Sequence, residues 1–297
     1  MTATVGQEQL IAAIHEEIAS FPGDAGVFAK NLTTGEEVAV DPDTVRPTAS
    51  TIKVPIMIEL FRQVEEGTVS LDQILVANEE NATEGSGILR DLSPGVALRA
   101  VDVATLMIVV SDNQATNMLV DLLGMAKINQ TMADNGFANT RLVNRIDFDV
   151  IGEDPKNLAV TTPRELAGIM ESIANTTILS KESCDGMLEI LAKQHYRDTG
   201  PRYFPFSPYA EESGKPDNGL RVYNKTGSWS GMRADALFVE WPGTRYVIGL
   251  ISEGDTDPRF WAENPGNRVL GAISKHIFDY FGGDQLAPLP PLEDYRR

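Results

Sequence analysis

The chain has 297 residues, and its 43 acidic side chains against 25 basic ones give a formal charge of -18. That balance disfavours nucleic acid and anionic membrane surfaces as partners, because both are polyanions. A single cysteine, Cys184, excludes an intrachain disulfide, and His15, His195 and His276 lie too far apart for ligand spacing, so neither a metal nor any other cofactor is expected.

The length permits a large buried core in one or two domains. Met1 to Gln9 is polar and lacks the basic start of a signal peptide. The longest apolar run, around residues 104 to 110, is too short to cross a bilayer. The reading is therefore a monomer that is cytoplasmic as written, or extracytoplasmic if a presequence has been removed.

In chain order, Leu10, Ile11, Ile14 and Ile18 predict an amphipathic helix over 7–19, closed by Gly23. Two strand-like stretches follow, 25–30 and 37–40, joined by a hairpin signal at Leu32-Thr33-Thr34-Gly35-Glu36. Ser50 precedes an apolar helix that runs to about Glu66 and stops at Gly67, with Pro55 tolerated in its first turn. Residues 68–77 read as extended and 78–87 as a surface loop. Helical periodicity returns over 98–110, 114–123 and 127–135, with Gly124 and Gly136 as stops.

Residues 141–160 have little periodicity and carry Asp147, Asp149, Glu153 and Asp154. Thr161-Thr162-Pro163-Arg164-Glu165 then supplies a cap, an early proline and an early glutamate for the next helix. Ser180 or Ser183 caps another, ending near Gln194. Residues 200–219 form a long aromatic and proline-bearing connection, suited to one wall of a cleft. From Gly219 the period changes to two, with strands predicted at 220–226, 232–240 and 244–251. A last helix, about 257–281, is broken or delayed by Pro265 and Gly266, and 287–297 reads as a frayed tail.

Three tracts carry the chemistry. In Ser50-Thr51-Ile52-Lys53 the lysine falls one turn after the serine, where its ammonium stem can reach the hydroxyl. Taken alone, a capping serine and a surface lysine explain that tetrad. Ser111-Asp112-Asn113 follows the apolar segment 103–110, and Lys225-Thr226-Gly227 follows strand-like Leu220 to Tyr223. Together the three make the Ser-x-x-Lys, Ser-Asp-Asn, Lys-Thr-Gly set. With them the chain resembles the penicillin-recognising superfamily of β-lactamases and penicillin-binding proteins, most closely class A β-lactamase-like serine hydrolases, over residues 8 to 283.

The resemblance implies an α+β fold of β-lactamase/transpeptidase type. An antiparallel five-stranded sheet with terminal helices would be built from 1–47 and 216–283, a mainly helical region would occupy 48–215, and 284–297 would be a tail. It also implies a substrate that is a small molecule with a carboxylate. Ser50 is then the nucleophile, Ser111 relays a proton to the leaving nitrogen, and Asn113 donates to the substrate amide. Thr226 binds the substrate carboxylate with Lys225 near it, and the N–H groups of Ser228 and Ser50 form an oxyanion hole.

Lys53 is a candidate base if burial or a neighbouring cation lowers its pKa, and Lys225 can supply that cation. Ser111 and Asn113 are two apart, so a regular helix cannot turn both toward one ligand, and the helix is expected to break there. Asp112 is expected to hold the turn by accepting backbone hydrogens. Arg233 is added as a carboxylate fork, with a salt bridge to Asp235 or a loop acid as its alternative. Trp229 either narrows the cleft or packs outward over Met232.

The departure from the family pattern lies in 141–160, the position of its omega loop. Class A enzymes place Glu-x-x-Leu-Asn there, the glutamate activating the deacylating water. Here Glu153 and Asn157 keep the separation, but Leu158 follows the asparagine instead of preceding it. Glu153 is the expected deacylation base and Asp147 the alternative. The function expected is β-lactamase-type opening of a cyclic amide through an acyl-enzyme. A related esterase or D-amino-acid peptidase or amidase, and a non-catalytic penicillin-binding-type protein, are the other readings.

Overall fold

The computed structural model describes residues 5–205 and 218–286. Much of the 200–219 connection and the 287–297 tail therefore lie outside the described residues. Helix α1 (Val5–Ser20) leads into strands β1 (Asp24–Asn31) and β2 (Glu37–Val40). A central run of helices follows: α2 (Lys53–Glu65), α3 (Ala100–Val109), α4 (Asn113–Leu123), α5 (Met125–Asp134), α6 (Pro163–Ala174) and α7 (Lys181–Ala192). The chain then returns to extended structure in β3 (Arg221–Trp229), β4 (Met232–Trp241) and β5 (Thr244–Glu253), and α8 (Pro265–Tyr280) follows. The five strands form one antiparallel sheet in the order β2-β1-β5-β4-β3, which leaves β3 at an edge. The α+β architecture is the one the sequence predicts.

Alternation along the strands explains why helices cover both faces. On β4, Met232, Ala234, Ala236 and Phe238 point into a core shared with α2 to α7, while Leu237, Val239 and Trp241 point the other way. That second face meets Leu10 and Ile14 of α1 and Val269, Leu270, Ile273 and Ile277 of α8. Each fully buried side chain of this size contributes about 1.5–3 kcal/mol of transfer free energy. A one-residue slip of β4 would exchange the two faces, so both cores fix its register. Among the described residues no helix is long and apolar enough to cross a membrane.

Local signals set the helix starts. Thr162 Oγ1 accepts from Glu165 N at 3.1 Å, with Pro163 at the first helical position of α6. Glu165 does not reach back to the cap; its carboxylate holds Asn139 N and Thr140 Oγ1 instead. Ser180, rather than Ser183, caps α7. Pro265 starts α8 eight residues later than position 257, since the segment before it is held by an Asn264 cap and an Asp257 turn. Of the extended stretch 68–77, only Ile74–Val76 pairs, with Ala97–Arg99.

Candidate active site

Ser50 sits in a tight 3-10 turn, Ala49–Ile52, that runs directly into α2. Ala49 has φ 43, an uncommon conformation for a residue with a Cβ. The edge strand β3 lies against this turn. A Cβ added to Gly227 would stand 2.4 Å from Thr48 O and 3.2 Å from Ser50 N, so the glycine of Lys-Thr-Gly is there because the two backbones nearly touch. Gly227→Ala is expected to cost about 2 kcal/mol, as overpacking does, read as a lower midpoint in chemical denaturation. An unchanged midpoint would show that the gap accepts a methyl group.

The helix break expected at Ser111 is present. Helix α3 ends at Val109, α4 starts at Asn113, and Ser111 between them has φ 54. Asp112 holds the turn as predicted: one carboxylate oxygen accepts from Ala115 N at 2.8 Å, the other from Ile88 N and Leu89 N at 2.7 and 2.9 Å. The loop before Leu89 is laced to the same turn, with Asn113 N donating to Ser86 O and Asn113 Nδ2 to Glu84 O, each at 2.9 Å. A strained serine is thus over-determined by its neighbours, as such outliers require.

Lys53 and Lys225 are both fully buried and meet at one atom. Lys53 Nζ donates to Ser111 Oγ at 3.0 Å, and Lys225 Nζ donates to the same Oγ at 3.1 Å. Lys53 also donates to Ser111 O at 2.8 Å and Asn113 Oδ1 at 2.9 Å, and Lys225 donates to Thr226 O at 2.7 Å. Ser50 Oγ makes no hydrogen bond among the described residues; the turn at Ser111, not Ser50, anchors the Lys53 head. Burial, then the charge of Lys225, holds the Lys53 pKa well below the usual lysine range. Burial also pushes Lys225 down to about 7, against the opposing field of Asp235. Asp235 is itself pushed up to about 7 by burial, although Asn224 Nδ2 and Gly200 N each donate to it at 3.0 Å.

Ser111 opens on a cleft of about 710 Å³, while Lys53 and Lys225 lie buried behind its lining. Ser50, Ser111, Asn113, Thr226, Ser228 and Arg233 all line it. Arg233 forms no ion pair with Asp235 or with any other acid among the described residues. Its guanidinium donates to three backbone carbonyls, Trp229 O (2.7 Å), Met232 O (2.6 Å) and Arg259 O (2.8 Å), and so ties the β3–β4 turn to the segment before α8. Trp229 faces the cleft, not outward: its ring stacks on Phe148 at 5.3 Å.

The two loop acids do not reach the cleft. Asp147 is exposed and caps the single helical turn Phe148–Ile151, accepting from Asp149 N and Val150 N at 3.1 and 3.3 Å. Glu153 is exposed just after Gly152, whose φ of 64 turns the chain outward. The segment instead presents Ile146, Phe148 and Leu158 to the cleft, and its carboxylates face solvent because the apolar side chains take the inner positions. The acids that do line the cleft are Glu84 and Asp198. Sequence reading missed both, along with Tyr196, Phe260 and Trp261: Glu84, Tyr196 and Asp198 lie in segments without periodicity, and Phe260 and Trp261 fall where the sequence predicts a helix that starts only at Pro265. Among the described residues no group of three or more His, Cys, Asp or Glu side chains is placed to hold a metal ion.

Residues 9–281 match the model of the beta-lactamase enzyme family. The chain belongs to that family. A beta-lactamase structure from Sphaerobacter thermophilus superposes with a TM-score of 0.82 at 28% identity, covering 96% of this chain and 99% of that one. The penicillin-binding protein PBP-A superposes with a TM-score of 0.78 at 30% identity, covering 92% and 96%. The beta-lactamase regulatory protein BlaB of Streptomyces cacaoi is 30% identical over 172 residues, which are 57% of this chain. The match spans about half the length of that curated relative, 53%. In this β-lactamase-family chain the three tracts supply Ser50, Ser111, Asn113 and Thr226 to the lining of the cleft.

Proposed function

We propose that this chain opens a β-lactam, or a similar cyclic amide carrying a carboxylate, by forming an acyl-enzyme on Ser50. One observation carries the reading: Lys53 and Lys225 share Ser111 Oγ at 3.0 and 3.1 Å beside the nucleophile. Lys53, neutral at the start, takes the Ser50 proton as Oγ attacks the carbonyl carbon. As an ammonium it then has three donors for three acceptors, Ser111 O, Ser111 Oγ and Asn113 Oδ1. Both lone pairs of Ser111 Oγ are now engaged by lysines, so its own hydrogen is left for the leaving nitrogen. The C–N bond breaks, Ser111 protonates that nitrogen, and Lys53 restores the Ser111 proton. The net change is one proton moved from Ser50 to the departing amine.

Thr226 and Lys225 hold the carboxylate, Asn113 the side-chain amide, and the N–H groups of Ser50 and Ser228 the oxyanion. Arg233 has donors left over from its three carbonyls and lines the same cleft, which supports a supplementary role toward the carboxylate. A point mutant of PBP-A has been solved as an acyl-enzyme complex with penicillin G, at 31% identity to this chain. Mass spectrometry after exposure to a penicillin is expected to find one adduct, on the peptide containing Ser50, and none in Ser50→Ala. An adduct on another peptide removes the assignment.

A second reading concerns the fate of the acyl-enzyme. The apolar face that Ile146, Phe148 and Leu158 turn to the cleft favours an adduct that persists, as in a penicillin-binding protein, over rapid turnover. Neither Glu153 nor Asp147 then acts as deacylation base. Glu153→Gln and Asp147→Asn are expected to leave the rate of deacylation within about threefold of wild type, where removing a general base costs about 10²-fold or more. Trapping of the adduct by either variant returns the role to that acid.

A further inference from the structure

Two walls of the cleft touch where the substrate's acyl substituent is directed. Along β3 the carboxylate site at Thr226 comes first, the oxyanion donor Ser228 second and Trp229 third, roughly 10 Å beyond Thr226 at about 3.3 Å per residue. A substrate fixed at Thr226 and Ser228 therefore points its acyl substituent toward Trp229. Asn113, which receives the amide of that substituent, lies at the same end. A Cβ on Gly85 would meet Asn113 Nδ2 at 2.5 Å and Phe148 Cζ at 3.2 Å, which places the Phe148 ring directly beside the amide site. Gly85 has φ 91, and the backbone on either side of it is bonded to the Ser111–Asn113 turn, so this flank is held in place.

The Phe148 and Trp229 rings close the gap between the flanks. Their centroids are 5.3 Å apart at an interplanar angle of 22°, an offset-stacked pair of a kind worth about 0.5–1.5 kcal/mol beyond its buried area. Phe148 belongs to a single helical turn in the 141–160 segment, and Trp229 ends an edge strand, so the pair joins two elements that share no backbone hydrogen bond. Both rings are only half-buried and both line the cleft.

We propose that the Phe148–Trp229 stack is the specificity-determining element of this site, a clasp across the acyl end of the cleft that admits small acyl groups to Ser50 and rejects bulky, α-branched or ortho-substituted ones. The proposal rests on the acyl-enzyme reading above. A bulky group must part the rings, losing the stack, whereas a small one fits beneath it.

The test uses two penicillins with the same bicyclic nucleus, one with an acetyl side chain and one with a 2,6-dimethoxybenzoyl side chain. Second-order rates of Ser50 acylation are measured by mass spectrometry for the full chain, Phe148→Ala, Trp229→Gly, the double variant and Trp229→Phe. The readout is the preference for acetyl over dimethoxybenzoyl. It is expected to fall at least about tenfold in either single variant, by the scale of steric pocket discrimination. Because the rings act as one unit, the double variant is expected to fall no further than the single ones, within about twofold. Trp229→Phe, which keeps a stacking ring, is expected to retain most of the preference.

If Trp229→Gly fails to fold, Phe148→Ala reads the clasp from its other side. A preference that stays within about twofold of wild type in both Phe148→Ala and Trp229→Gly overturns the clasp, as does a double variant whose loss is the product of the single losses. Wild-type protein that takes neither penicillin on Ser50 overturns the acyl-enzyme reading itself, and the clasp with it.

Discussion

Lys53→Met is expected to lower the rate of Ser50 acylation by about 10²–10⁴-fold, the range supplied by a positioned general base. The length of the side chain is nearly kept, so α2 and the apolar packing around it are retained while the one basic nitrogen is removed. The substitution also frees Ser111 O, Ser111 Oγ and Asn113 Oδ1 from their shared donor. Stopped-flow acylation with a chromogenic cephalosporin, followed by mass spectrometry of the adduct, measures the loss. A variant that acylates within about tenfold of wild type would assign the base elsewhere, and Lys225 through Ser111 is the next group in the chain of hydrogen bonds. Lys53→Arg separates charge from basicity: it restores a cation against Asn113 but not a group able to accept a proton, and it is expected to be as slow as methionine.

The second large effect is on the pH dependence. Acylation needs Lys53 neutral, as base, and Lys225 charged, as the cation beside the carboxylate and Ser111. Burial lowers both ammonium pKa values, and the charge on Lys225 lowers Lys53 further; the proposed mechanism needs Lys53 to give up its proton before Lys225 does. The acylation rate should therefore rise with pH while Lys53 deprotonates and fall as pH passes about 7, where Lys225 is lost. A one-proton fall predicts about a hundredfold lower rate two pH units above that limb. Asp235 raises the Lys225 pKa, so Asp235→Asn is expected to move the alkaline limb to lower pH. A limb that stays in place in Asp235→Asn, or a rate that stays flat to pH 9, would show that the charge on Lys225 is not needed.

Both expectations depend on contacts that join distant parts of the chain. The Lys53–Ser111 and Lys225–Ser111 hydrogen bonds span sequence separations of 58 and 114 residues. No local propensity encodes such separations; they exist because α2, the α3–α4 break and the edge strand β3 pack around one point. Motif order foretold the meeting of these residues, while the identity of the acceptor shared by the two lysines came from packing.

Arg233 shows the same division. Its place on the strand after Lys-Thr-Gly identifies a cation near the cleft, yet three carbonyls, including one from Arg259, take its donors. A carbonyl contributed by a segment 26 residues away carries no mark in the sequence. Asp147 and Glu153 make the point more strongly. Spacing to Asn157 selects Glu153, but spacing is blind to which way a non-periodic segment turns. Gly152 with φ 64 and the packing of Ile146 and Leu158 settle that both acids face solvent.

By itself the sequence determined the elements whose signals are local. Alternation in β3 to β5 follows from side chains projecting to opposite faces of a pleated strand. The Thr162 cap, the delayed start at Pro265 and the Asp112–Ala115 part of the turn follow from hydrogen bonds three or fewer residues long, or from a missing N–H, while the choice of Ser180 over Ser183 and the hold of Asp112 on Ile88 and Leu89 came from the fold. The three motifs in order pointed to Ser50, Lys53, Ser111 and Lys225 as one group; in the structure both lysines meet at Ser111 Oγ, and Ser111 shares the cleft with Ser50. The tertiary structure alone decided which acids line the cleft, what holds the Lys53 head, and that Phe148 meets Trp229 across it. Those outcomes depend on burial of both lysines and on stacking between elements 81 residues apart, terms that arise only once two hydrophobic cores have fixed the sheet between them.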